Sequence, residues 1–168
     1  LFGADYSQIE LRILAHVSRD PSLVAAFAAN EDIHAATASQ LFGVKLGEVT
    51  SEQRRMAKTT NFGVIYGQTA YGLSQQLQIP QKEAADFIQQ YFEKYPTIRA
   101  YLDTSERQAE SHGYVTTLIG RRRYIPVAEI TSSIPSVRNA ARRMAINMPI
   151  QGTAADIIKV AMIRVDRG

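Results

Sequence analysis

Apolar residues recur at helical spacing along most of the chain. Ile9, Ile13, Leu14 and Val17 share one face, which predicts a helix from Ser7. Ser7 and Glu10 match the Ser-x-x-Glu capping box. Asp20-Pro21 opens a second short helix, to about residue 30, with proline at its first position. Asp32 caps a third, over 33–42, and Gly43 stops it. Thr50 or Ser51 caps a fourth, with Gln53 available for a capping box from Thr50, and Gly67 is placed to end it. A short helix near 70–77 follows. Pro80 opens a longer one, in which Phe87, Ile88, Tyr91 and Phe92 make an apolar stripe. Tyr95-Pro96 breaks it, and a further helix runs to Gly113. Residues 114–125 read as a β-hairpin turning near Gly120. Residues 130–137 read as loop, and a helix carries Arg138 to Asn147. Pro149 and Gly152 interrupt before a last helix over about 153–166. The apolar stretch 1–4 reads as the end of a buried strand. The pattern predicts an α+β chain that is mainly helical.

Length and composition narrow the class. At 168 residues the chain is long enough for a domain with a real core. It is 45% hydrophobic and 21% charged, as ordinary globular proteins are. A formal net charge of +3 permits a polyanionic partner without requiring one. The basic residues are clustered, as Arg54-Arg55-Lys58, Arg121-Arg122-Arg123, and Arg138 with Arg142-Arg143. Each cluster alone reads as a solvated face. The absence of cysteine removes disulfides, thiolate zinc sites and cysteine nucleophiles together. No apolar run approaches the roughly 20 residues of a membrane span, and no signal-peptide pattern opens the chain. It begins at Leu1 and stops just after a strongly patterned helix, and is read as a piece of a longer protein.

The fourth helix carries an unusual row. Arg54, Lys58, Phe62 and Tyr66 stand four residues apart. Each such step turns about 400°, so the four drift slowly around one face and span roughly 18 Å. A core would reject the cations and water would reject the aromatics. An extended nucleoside triphosphate has the matching polarity. Arg54 and Lys58 are suited to phosphates, one as a fork and one as a point charge. Phe62 is suited to sugar and base, and Tyr66 to stacking on a neighbouring base. Gly63 costs about 1 kcal/mol against alanine in a helix and admits a close approach to the backbone. The plainer reading is an amphipathic helix with half-buried aromatics and solvated cations. Elsewhere, Asp5 stands between the expected strand and the first helix. A rigid carboxylate there suits a hard cation such as Mg²⁺, although a turn or cap residue fits the same position.

Two long stretches carry a resemblance. DYSQIELR at 5–12 and RRMAKTTNFGVIYG at 54–67 resemble motifs A and B of the family A DNA polymerases, the DNA polymerase I type. Ile33-His-Ala-Ala-Thr37, the GRRR at 120–123 and the run from Asn147 to Asp156 support it, so the likeness covers essentially the whole chain. It implies the fingers of a polymerase right hand with part of the palm. Residues 1–31 are then palm, 32–130 fingers, and 131–168 a return to the palm. It implies that Asp5 bridges two catalytic Mg²⁺ ions, with the Tyr6 backbone carbonyl as a further ligand. Gln8, Glu10, His34, Arg54, Lys58, Phe62 and Tyr66 become nucleotide-binding residues. Glu10 is the steric gate that occupies the space of a ribose 2′-OH. Phenylalanine at 62 implies stronger discrimination against dideoxynucleotides. Lys58 doubles as a catalytic acid toward pyrophosphate. Arg143, Asn147 and Gln151 resemble primer–template contacts, and Arg12 joins the DNA-binding residues in support of the site. The implied partners are primer–template DNA and dNTP, in a monomeric intracellular protein with no membrane attachment.

One departure tempers this. The His-Asp-Glu turn of motif C, which carries the second metal-binding carboxylate in the family, appears nowhere in the chain. The expectation is that these residues alone do not polymerise although the longer protein does. Two other readings remain: a single-subunit RNA polymerase, against which Glu10 argues, and a non-catalytic nucleic-acid-binding module, against which Asp5, Lys58 and Phe62 argue together.

Overall fold

A computed structural model describes residues 5–167. It is mainly helical with one two-stranded antiparallel sheet among the described residues, as the hydrophobic pattern predicts. The chain forms two compact units. One holds residues 19–101, and the other joins the residues up to Ser18 to those from Leu102 onward. The expected strand at 1–4 lies outside the described residues.

The unit of residues 19–101 is built from short, well-capped helices. α2 (Pro21–Ala28) is capped by Asp20, whose Oδ1 accepts from the backbone of Ser22 and Leu23. The other oxygen of Asp20 accepts from Thr97 Oγ1 at 2.7 Å, so this buried carboxylate is satisfied on both sides. α3 (Ile33–Phe42) has Asp32 as its cap and ends on Gly43 at φ 63°. α4 (Ser51–Ile65) starts with the expected capping box between Thr50 and Gln53. It ends as expected too, with Gly67 in the left-handed region at φ 62°. α5 (Ala70–Leu77) and α6 (Gln81–Lys94) follow. Ala38, Ala57, Leu73, Leu77, Ala84 and Phe87 form one buried cluster that locks α3, α4, α5 and α6 together. Small residues at 38, 57 and 84 let the helix backbones come close, and each fully buried leucine or phenylalanine adds about 2 kcal/mol.

α7 (Pro96–His112) begins in this unit and ends in the other. There the hairpin pairs β1 (Tyr114–Thr116) with β2 (Arg122–Tyr124) in the register Tyr114↔Tyr124, and Gly120 turns it at φ 86°. α1 (Ile9–Ser18) buries Leu11, Ile13, Leu14 and Ala15 and packs on α9 (Pro135–Arg167). The short α8 (Val127–Ile130) and the N-terminal half of α9 close a second cluster of Ala109, Val115, Ile125, Ile130, Ala141 and Ala145.

Three details differ from the sequence reading. α1 begins at Ile9, so the cap position falls on Gln8, held at φ 55°, and not on Ser7. The stretch 130–137 is not all loop, because α8 ends in it and α9 begins in it. The largest difference is that α9 runs unbroken for 33 residues through Pro149 and Gly152. Proline inside a helix costs roughly 3 kcal/mol through its missing N–H. Here Pro149, Ile150, Gly152, Thr153 and Ala154 are buried, and Thr153 Oγ1 donates to the Pro149 carbonyl at 2.5 Å. Burial on this scale outweighs the proline.

Candidate functional site

The row on α4 survives folding as one graded face. Arg54 and Lys58 are exposed, whereas Phe62 and Tyr66 are half-buried at its C-terminal end. The opposite side of the helix is buried at Ala57, Thr60, Asn61, Val64 and Ile65, which fixes the row outward. The Phe62 and Tyr66 rings stack at 6.2 Å with planes 24° apart. His34, from α3, lies 5.9 Å from Phe62. Gly63 is buried, and an added Cβ would meet Gln68 Oε1 at 2.5 Å. The glycine therefore lets the Gln68 side chain fold over the helix.

The electrostatics come from α3 and α4 together. Asp32 caps α3 through the backbone of His34 and Ala35, and its Oδ2 accepts from Arg54 Nε at 2.6 Å. Burial works to raise this carboxyl, but the Arg54 bond and the two backbone donors outweigh it and hold it below its usual value. His34 is 3% exposed. Burial, with help from Arg54 and Lys58 and opposition from Asp32, pushes its imidazole down to about 4. It is therefore neutral at neutral pH. Its Nδ1 lies 3.0 Å from Asn61 Nδ2.

The other unit carries the remaining expected residues. Asp5 and Tyr6 are exposed, and Glu10 is half-buried. Gln8 is half-buried, and its Oε1 has no hydrogen-bond partner among the described residues. Arg12 is exposed on α1, and its Nε donates to the Ser7 carbonyl at 3.0 Å. Arg143, Asn147 and Gln151 follow one another at successive turns of α9. Arg143 and Gln151 are exposed, and Asn147 keeps a buried Oδ1 without a partner among the described residues. Neighbouring Arg142 is engaged, with Glu106 at 3.6 Å and Glu110 at 3.5 Å. Asp5 and the Tyr6 carbonyl are hard oxygen donors of the kind Mg²⁺ takes. Among the described residues no three His, Asp or Glu side chains gather into a metal cage, so this donor set fits part of a coordination shell only.

A family model described as DNA polymerase family A matches residues 1–168. The chain belongs to DNA polymerase family A. It is 55% identical over 163 residues to DNA polymerase I of Bacillus subtilis, covering 97% of this chain and 18% of the relative. It is 52% identical over 165 residues to DNA polymerase I of Caldicellulosiruptor bescii, covering 98% and 19%. A solved structure, the POL domain of Pol1 from M. smegmatis in complex with DNA primer-template and dNTP, matches with a TM-score of 0.90. The identity there is 53%, over 97% of this chain and 28% of that one. The chain thus spans about a fifth of the length of the curated relatives it matches.

Four residues have partners that the sequence pattern does not show. Asp32 caps α3 and also holds Arg54. Thr37 and Asn61 sit behind His34, and only their shared burial shows it. Asp156 is 5% exposed and accepts from Arg121 Nε at 2.8 Å, while Arg121 Nη2 donates to the Gly152 carbonyl at 2.9 Å. One arginine of the GRRR cluster is thereby a clamp between the hairpin and α9. A lone buried acid 35 residues from a basic cluster is a signal, but pairing it needs the fold.

Proposed function

We propose that this chain supplies the nucleotide-binding face of a template-directed DNA polymerase, and that the longer protein adds deoxynucleotides to a primer 3′-OH. The observation that carries it is the α4 row, with two exposed cations followed by two stacked aromatics and a neutral histidine beside them. Arg54 and Lys58 neutralise the triphosphate, and its binding draws Arg54 away from Asp32. Exposed pairs of this kind are worth about 0–1 kcal/mol, so the exchange costs little. Phe62 lies against the sugar and base, and Tyr66 stacks near the templating base. Glu10 acts as a gate against a 2′-OH, and Gln8 is a further nucleotide contact. Arg12, Arg143, Asn147 and Gln151 hold primer and template.

Asp5 and the Tyr6 carbonyl would hold Mg²⁺, with the remaining ligands coming from elsewhere in the longer protein. When bound, the metal supplies charge neutralisation around the reacting phosphate. The chain's own residues position the reactants. The primer hydroxyl gives up its proton to solvent as it attacks the α-phosphorus, the bond to the bridging oxygen breaks, and pyrophosphate leaves. Lys58 gives its proton to that leaving group.

The test is Lys58→Ala in the complete polymerase. Nucleotide addition is expected to fall about 100-fold or more, with duplex DNA binding nearly intact. Equal loss of both defeats the assignment. A comparison of dNTP with rNTP incorporation on the same protein checks Glu10.

A further inference from the structure

His34 sits at the end of a buried hydrogen-bonded chain. Tyr95 lies behind Thr37 in the same buried group. Thr37 Oγ1 lies 3.2 Å from Asn61 Oδ1 and 2.8 Å from the Ile33 carbonyl. Asn61 Nδ2 lies 3.0 Å from His34 Nδ1. All four side chains are at most 5% exposed, so water cannot replace a missing partner. An amide nitrogen only donates. His34 Nδ1 must then accept, and the single proton of the neutral ring sits on Nε2.

We infer that Asn61, held against Thr37, is a positioning residue that fixes His34 as a neutral Nε2–H donor toward the triphosphate. The inference rests on the nucleotide-binding reading above and adds a mechanism to it. The opposite amide orientation sets Asn61 Oδ1 against an Nδ1–H. It leaves a bare lone pair on Nε2, which repels a phosphate oxygen. The structure holds the first arrangement: the amide oxygen faces Thr37 Oγ1 at 3.2 Å, and that hydroxyl shares its one proton with the Ile33 carbonyl at 2.8 Å. Among the described residues, the charged and titratable groups acting here are Asp32, Arg54 and Lys58 at the His34 end, and Asp20 and Tyr91 at the Tyr95 end. Arg54 and Lys58 oppose a proton on His34 and Asp32 favours one. A fixed neutral donor keeps the triphosphate contact independent of pH around neutrality.

The complete polymerase, labelled with ¹⁵N-histidine and assigned with His34→Gln, gives a direct reading that needs no functional variant. Nε2 protonated and Nδ1 unprotonated from about pH 6 to about pH 8 supports the inference. A ring protonated on Nδ1 overturns it. The functional arm follows the KM for dNTP against pH. Asn61→Asp turns the partner into an acceptor and favours Nδ1–H. It is expected to add a titration in which KM rises about tenfold with pH across neutrality. Thr37→Ser keeps the hydroxyl and is expected to retain the wild-type profile. If His34→Ala leaves KM unchanged, the nucleotide contact itself is wrong and the inference goes with it. If His34→Ala raises KM while Asn61→Asp keeps the wild-type profile, the positioning role alone is wrong.

Discussion

Arg54 Nε donates to Asp32 Oδ2 at 2.6 Å, so the first cation of the α4 row is held by the carboxylate that also caps α3. One aspartate therefore serves helix stability and restrains a phosphate-binding arginine. The two roles separate cleanly by substitution.

Asp32→Asn keeps the cap, because asparagine is as good at that position as aspartate, and removes the charge. Thermal stability is expected to change little. Affinity of the complete polymerase for dNTP is expected to rise about threefold, in keeping with an exposed pair worth under about 1 kcal/mol. Asp32→Ala is expected to lose about 1 kcal/mol of stability with the cap. Denaturant titration and nucleotide binding measured side by side check both.

His34 makes stability depend on pH. Its imidazole lies at about 4 in the fold against an ordinary 6.5. Between those values the unfolded chain binds a proton that the folded chain refuses. Stability is therefore fully present above the upper value and is lost as pH falls through the window. Urea midpoints at about pH 7 and about pH 5 are expected to differ more for wild type than for His34→Gln.

Gly63→Ala separates folding from function. The added methyl meets the mobile end of Gln68, which can swing away. The helix gains up to about 1 kcal/mol in propensity. Stability is expected to hold or rise slightly while dNTP incorporation falls. A melt that drops by several degrees means the Gln68 side chain, which also donates to Gln76 at 3.1 Å, cannot move.

Gly152 lies where the hairpin meets α9. A Cβ there sits 2.7 Å from Thr117 Cγ2 and 3.2 Å from Arg121 Nη2. Gly152→Ala is expected to destabilise by about 1–3 kcal/mol through overpacking. Arg121→Ala is expected to cost about 2 kcal/mol, because it leaves the buried Asp156 without its charged partner. Both are read by thermal unfolding of the complete polymerase, where a cost under about 0.5 kcal/mol contradicts the clamp.

The local grammar of the chain was legible before folding. Asp20, Asp32 and Thr50 as caps, Gly43 and Gly67 as stops, and Gly120 as the hairpin turn are each decided by a neighbour or two. The basic and aromatic row on α4 follows from helical spacing alone, and the motifs that carry the family resemblance are contiguous stretches of the sequence. Pro149 was misjudged for the complementary reason: local rules price the lost hydrogen bond but cannot see the burial that surrounds it. The pairings of Arg54 with Asp32, of Asn61 with His34, and of Arg121 with Asp156 join residues 22 to 35 positions apart. Such pairs depend on which helix faces meet. Periodicity names the face of each helix, whereas packing of the whole unit decides what that face touches.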